Sequence, residues 1–225
     1  MHLVPLPVAA VVAILLAGLL AALSPWMLAR LPEPTAEPEP DMPPKIPYAE
    51  LAGARWLGLW LALPAMVLAG VAAATISEPA LLPVWVPIAA ATPVLAWVDW
   101  KVHLLPYLIV APLYVVTWLL TGLGALLLRD PSVLLGALLG NVAVFGFYFV
   151  LALIGPMGYG DVRLSAVVGV GLGPLGLVAT YYGVFFGLCI GAVVGLVLVR
   201  GRLGRNIPIA FGPYLLLGAF AAVWV

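Results

Sequence analysis

The chain has 225 residues, 65% of them hydrophobic and 8% charged, with a mean hydropathy of +1.23 and a formal net charge of zero. A soluble domain carries roughly a quarter charged residues, so this surface has to face lipid, and the chain reads as an all-α polytopic membrane protein. Zero net charge excludes a strongly basic nucleic-acid surface, and the lone Cys189 excludes both an internal disulfide and a cysteine metal cluster.

The first apolar run, Leu3 to Ala29, is long enough to span a bilayer. No basic residue precedes it, Arg30 follows it and no small-residue cleavage pattern closes it. It is therefore expected to be a retained helix (residues 1–30) with its N-terminus outside. Residues 31–54 change character: Pro32, Pro34, Pro38, Pro40, Pro43, Pro44 and Pro47 alternate with Glu33, Glu37, Glu39, Asp41 and Glu50. Such a composition favours extended chain without a core, a solvated cytoplasmic loop; its acidity also suits it to draw in a basic partner segment. Residues 55–225 form the third division, a helical membrane domain.

Within it, apolar runs occupy about 57–76, 81–98, 104–128 and 132–154, then a short run from Val162 to about Leu172, then 175–199 and 207–225. With the first helix, about eight transmembrane helices are expected. Starting outside, the loops on one side hold Arg30, Lys45, Arg55, Lys101, Arg163, Arg200, Arg202 and Arg205, and the other side holds only Arg129. Basic residues gather on the cytoplasmic side, so helix count and orientation support one another.

That topology brings two acids to one face. Asp161 follows the glycine-rich stretch Gly155-Pro156-Met157-Gly158-Tyr159-Gly160 and opens the sixth run; Asp99 closes the third, in Trp97-Val98-Asp99-Trp100-Lys101. Ionisable groups at a membrane rim are costly to keep and point to function. Two neighbouring carboxylates cannot both ionise, so they share a proton and can act as base and acid on a peptide bond. The helix N-terminus favours an anion at Asp161, hence the base, and the apolar, aromatic surroundings of Asp99 favour the acid. The competing reading makes Asp161 an N-cap and Asp99 the ion-pair partner of Lys101. Gly158 and Gly160 either make a tight turn or let a substrate backbone lie close to Asp161.

Other residues carry less. His2 and His103 are the only histidines, so no metal site and no cofactor are expected, and Ser24 and Ser165 lack a histidine to activate them. Gly183, Gly187, Gly191 and Gly195, four residues apart, read as a close-packing stripe, echoed by Gly136 and Gly140. Trp56, Trp97 and Trp100 suit an interfacial aromatic belt.

Three stretches together resemble the type IV prepilin peptidases, a family of membrane aspartic proteases. Gly158-Tyr159-Gly160-Asp161 with Val162-Arg163-Leu164 resembles the family's GxGD motif. Asp99 ahead of Leu105-Pro106 resembles its first aspartate motif, and Ile207-Pro208-Ile209-Ala210-Phe211-Gly212-Pro213 resembles its IPxxFGP stretch. The resemblance covers about residue 80 to the end. It implies an aspartic endopeptidase of the inner (plasma) membrane, working at the cytoplasmic face. Its implied action removes basic leaders from prepilins or pseudopilins, with Asp99 and Asp161 catalytic. Gly158, Gly160, Arg163, Lys101, Gly212 and Pro213 are then expected in the substrate-binding surface or its loops, and membrane lipid is the other expected partner. The Pro/Glu segment stands where many members carry a cysteine-rich, zinc-binding domain, so N-methylation is not implied; Arg163 replaces a usual lysine. Two alternatives stay open: a presenilin-like protease with other substrates, and a small transporter or scaffold using the pair for protons or cations.

Overall fold

A computed structural model describes residues 6–33, 46–155, 157–199 and 211–224. Among them are nine α-helices: α1 (Leu6–Leu28), α2 (Tyr48–Ala52), α3 (Leu57–Thr75), α4 (Leu82–Val102), α5 (Tyr107–Leu128), α6 (Ser132–Ile154), α7 (Tyr159–Leu172), α8 (Leu177–Val199) and α9 (Gly212–Ala222). Six of these, α1, α3, α4, α5, α6 and α8, are long and apolar enough to cross a bilayer. The protein is a multi-pass, all-α membrane protein. Leu119, Leu126 and Leu153, each more than 60% exposed, turn outward, as a lipid-facing surface requires.

The eight apolar helices follow the hydrophobic runs, with differences at their ends. α4 does not stop at residue 98 but continues through Asp99, Trp100 and Lys101, because nothing in that turn breaks a helix. His103 ends it, in a left-handed conformation with φ 53°, its N–H donating to the Asp99 carbonyl at 2.8 Å. α7 starts at Tyr159, ahead of residue 162, with Gly158 as N-cap. α9 has 11 residues, short of a full span. Residues 207–210 of the last run, most of the Pro/Glu segment, Pro156 and the basic residues at 200, 202 and 205 lie outside the described residues.

The linker departs from expectation at its end. Tyr48-Ala49-Glu50-Leu51-Ala52 favours helix once Pro47 has set its entry, and Tyr48 and Leu51 are buried. The carboxylate of Glu33 accepts the Tyr48 N–H at 3.0 Å and the Ala49 N–H at 3.4 Å, capping α2 from 15 residues away. This acid is thus committed to holding the linker's ends together. Glu33→Ala is expected to cost about 1 kcal/mol locally, seen as faster amide exchange over 48–52 with the rest of the protein unchanged.

At the centre stand α4 and α7. From Asp161 to Leu172 every residue of α7 is buried except Arg163, so this short helix is enclosed by protein rather than lipid. It packs on α5, α6 and α9. The α6 contact is backbone to backbone: a Cβ at Gly136 would lie 2.7 Å from the Gly173 carbonyl oxygen, and Gly140 and Gly169 approach each other as closely. Without a hydrophobic force between helices in lipid, such contact is the main source of association. Asn141 adds a tie from α6, its Nδ2 donating to the Ala166 carbonyl at 3.0 Å. Gly140→Leu is expected to separate α6 from α7 and lower stability by about 3 kcal/mol or more, checked by thermal unfolding in detergent. On α8, Gly183, Gly187 and Gly191 meet Leu172, the α9 backbone and Phe211, as the stripe predicts.

Candidate active site

Asp99 comes from the last turn of α4 and Asp161 from the first turn of α7, and both are buried, at 4% and 8% exposure. α4 and α7 meet mainly through side chains, as where Trp85 and Ile88 face Gly171. The element that joins the carboxylates is α9, which packs on both helices and starts at Gly212. The Gly212 N–H donates to Asp99 Oδ2 at 3.2 Å. A Cβ on Gly212 would sit 3.1 Å from Asp99 Oδ2 and 3.4 Å from Asp161 Oδ1, so the two carboxylates share the space beside this one glycine. Leu105 closes the same space: its side chain lies 3.0 Å from the Cβ position of Gly160 and 3.2 Å from that of Gly212. The three separated stretches, Asp99 with Leu105-Pro106, Gly160-Asp161 and Phe211-Gly212-Pro213, therefore converge on one point. Neither competing reading of the acids holds. Asp161 is the third helical residue of α7 with no side-chain capping bond, and Lys101 turns from Asp99 to lie 4.9 Å over the Trp97 ring.

Residues 88–199, about half of the chain, match the family model described as the type IV leader peptidase family. The chain belongs to this family. It is 33% identical over 154 residues to the prepilin leader peptidase/N-methyltransferase of Aeromonas hydrophila, covering 64% of this chain and 49% of that one. It is 41% identical over 88 residues to the protein of the same name from Bacillus subtilis, covering 38% and 34%. The chain thus spans about half the length, or less, of these curated relatives. No solved structure matches it.

The remaining predicted residues divide. Gly158 lies against Asp161, its Cβ position 3.5 Å from Oδ2, and its carbonyl accepts the Asp161 N–H at 3.0 Å. Pro213 is buried beside Gly212. Arg163 is exposed, its guanidinium 5.1 Å over the Tyr107 ring. With Tyr114 and Asn141 it lines a cavity of about 410 Å³ between α5, α6 and α7. On the other side a cleft of about 1020 Å³ runs between α3, α4 and α9. It is lined by apolar residues including Trp60, Leu68, Trp97, Trp100, Pro213 and Leu217, so it reaches the level of the aspartates.

Two groups at the site had no sequence signal. The hydroxyls of Tyr148 on α6 and Tyr214 on α9 are buried without a hydrogen-bond partner among the described residues, as is Oδ1 of Asp161. Each tyrosine lies in an apolar run, where spacing gives no reason to single it out.

Proposed function

We propose that this chain is a membrane aspartic endopeptidase that removes basic leaders from prepilin-like precursors, with Asp99 and Asp161 as its catalytic pair. The observation carrying this reading is the position of Gly212, in contact range of both carboxylates. A peptide carbonyl and a water need acidic and basic oxygens on one spot, and a second membrane carboxylate elsewhere would serve neither.

In the proposed reaction Asp161 takes a proton from water as the water oxygen attacks the scissile carbonyl carbon, and Asp99 gives its proton to the carbonyl oxygen. Oδ2 of Asp99 is held by the Gly212 N–H, which leaves Oδ1 to carry that proton. Collapse of the tetrahedral intermediate breaks the C–N bond as Asp161 protonates the leaving nitrogen and Asp99 recovers its proton. The pair ends as it began. Because the carboxylates are coupled, the protonation states belong to the pair as a unit.

Lys101 and Arg163 adjoin the helix ends that carry the aspartates, Arg30 follows α1 and Arg55 precedes α3 on what the alternation of spans makes the same side, and Arg129 lies at the opposite side, so the site is proposed to face the cytoplasm across the inner membrane, with the N-terminus outside. The divisions 1–30, 31–54 and 55–225 then correspond to an anchor helix, a cytoplasmic loop and the peptidase domain. A substrate with a charged leader and an apolar helix would present its junction at this rim, and the lateral cleft beside Asp99 is apolar enough to face the latter part. Helix-end placement of both acids disfavours the carrier alternative, whose charges belong near the bilayer midplane.

The test is incubation of membranes containing this chain with a prepilin. A shortened product whose new N-terminus lies at the leader junction is expected. An intact precursor under conditions where another leader peptidase cleaves it would overturn the assignment.

A further inference from the structure

Resting on the peptidase reading, we propose that Tyr148 is a positioning residue of this site: its hydroxyl and Oδ1 of Asp161 together hold the water that hydrolysis consumes. Tyr148 belongs to α6 and is fully buried, at 0% exposure. Its ring lies 5.9 Å from that of Phe211, the residue before Gly212, which fixes the aromatic plane beside the aspartates. Among the described residues the hydroxyl has no hydrogen-bond partner, and neither has Asp161 Oδ1. The antiparallel pairing of α6 with α7, which sets Gly140 against Gly169 and Asn141 against Ala166, carries Tyr148 to the level of Asp161.

A buried hydroxyl left unmet costs about 1–3 kcal/mol, and more is at stake where no bulk water can reach. Two unmet polar atoms from separate helices at one site are what a bound water satisfies, since it needs two to four polar partners. Tyr148 O–H donates to the water oxygen, and the water donates one hydrogen to Asp161 Oδ1. The second lone pair of the water stays free to attack, and the tyrosine keeps its own proton throughout. Gly187 on α8 lies beside the hydroxyl, the position of a Cβ there being 3.5 Å from it. Tyr214, in the first turn of α9, likewise carries a buried hydroxyl without a hydrogen-bond partner among the described residues.

The experiment measures kcat and KM for prepilin cleavage by the full chain in membranes, comparing wild type with Tyr148→Phe and with Tyr181→Phe, a surface tyrosine of α8 that is 63% exposed. The phenylalanine keeps the ring and removes one oxygen that has no hydrogen-bond partner among the described residues. Tyr148→Phe is expected to accumulate and unfold like wild type, to keep KM within about twofold and to lose about tenfold to a hundredfold in kcat, the scale for a misplaced reactant. Tyr181→Phe is expected to match wild type. Wild-type kcat in Tyr148→Phe overturns the inference. So does a loss of accumulation or thermal stability, which would make the hydroxyl a packing group. Failure of the peptidase reading itself looks different, because wild type is then inactive as well.

Discussion

Asp161→Asn and Asp99→Asn are each expected to abolish leader cleavage, slowing it by about 10³-fold or more, while the protein still inserts and accumulates. The amide is isosteric with the carboxylate, so packing around α9 is preserved. In Asp99→Asn the side-chain oxygen can still accept the Gly212 N–H, the contact that Asp99 Oδ2 makes at 3.2 Å. What is lost is proton transfer. An amide neither takes the proton of water nor gives one to a carbonyl oxygen, and positioned acid–base groups contribute about 10²–10⁴-fold. Since the pair acts as a unit, the double variant is expected to be no slower than the slower single one. Cleavage of a co-expressed prepilin, followed by gel shift and normalised to the amount of peptidase in the membrane, checks this. A wild-type rate from either single variant would remove the two-aspartate mechanism.

The second large effect is expected at a residue with no chemistry of its own. Gly212→Ala places a methyl group 3.1 Å from Asp99 Oδ2, 3.2 Å from Leu105 and 3.4 Å from Asp161 Oδ1. These distances are tight enough that something has to give by a few tenths of an ångström. The methyl also occupies the space between the carboxylates, where water and the scissile carbonyl must lie. A displacement approaching about 1 Å in an acid–base site costs on the order of a hundredfold in rate. Stability is expected to fall by only about 1–3 kcal/mol, the range for modest overpacking. Gly122→Ala supplies the contrast, because a Cβ at Gly122 on α5 meets nothing within 4 Å. Cleavage rates and detergent melting curves for the two variants separate a site effect from a general cost of replacing glycine. Equal activity in both would mean that the reaction does not use the space beside Gly212.

Much of this molecule is legible in its sequence because lipid is a severe solvent. A bilayer demands long apolar runs, and six helices of the structure meet that demand within a few residues of where the runs lie. Composition also makes acids conspicuous: with nine Asp and Glu in the chain, most of them in the linker, Asp99 and Asp161 stand out at helix ends. Local motifs then point to the same two residues. The helix ends themselves are less legible. α4 runs on past Asp99 because hydropathy falls there while helix geometry does not, and α2 forms because Glu33, distant in sequence, caps it.

Other features were decided only in three dimensions. The sequence offers two carboxylates on one face, but their shared space depends on α9, whose glycine start is inserted beside both. Side-chain contacts bring α4 to α7, so no pattern of small residues along either helix marks the meeting point. Tyr148 illustrates the same limit: within Phe145-Gly146-Phe147-Tyr148-Phe149 it is one aromatic among several, and only packing singles out its hydroxyl. Sequence thus determined the solvent, the spans and the chemical groups, because those follow from local composition. Tertiary structure decided which groups share a site, because that depends on how closely glycine-lined helices can approach.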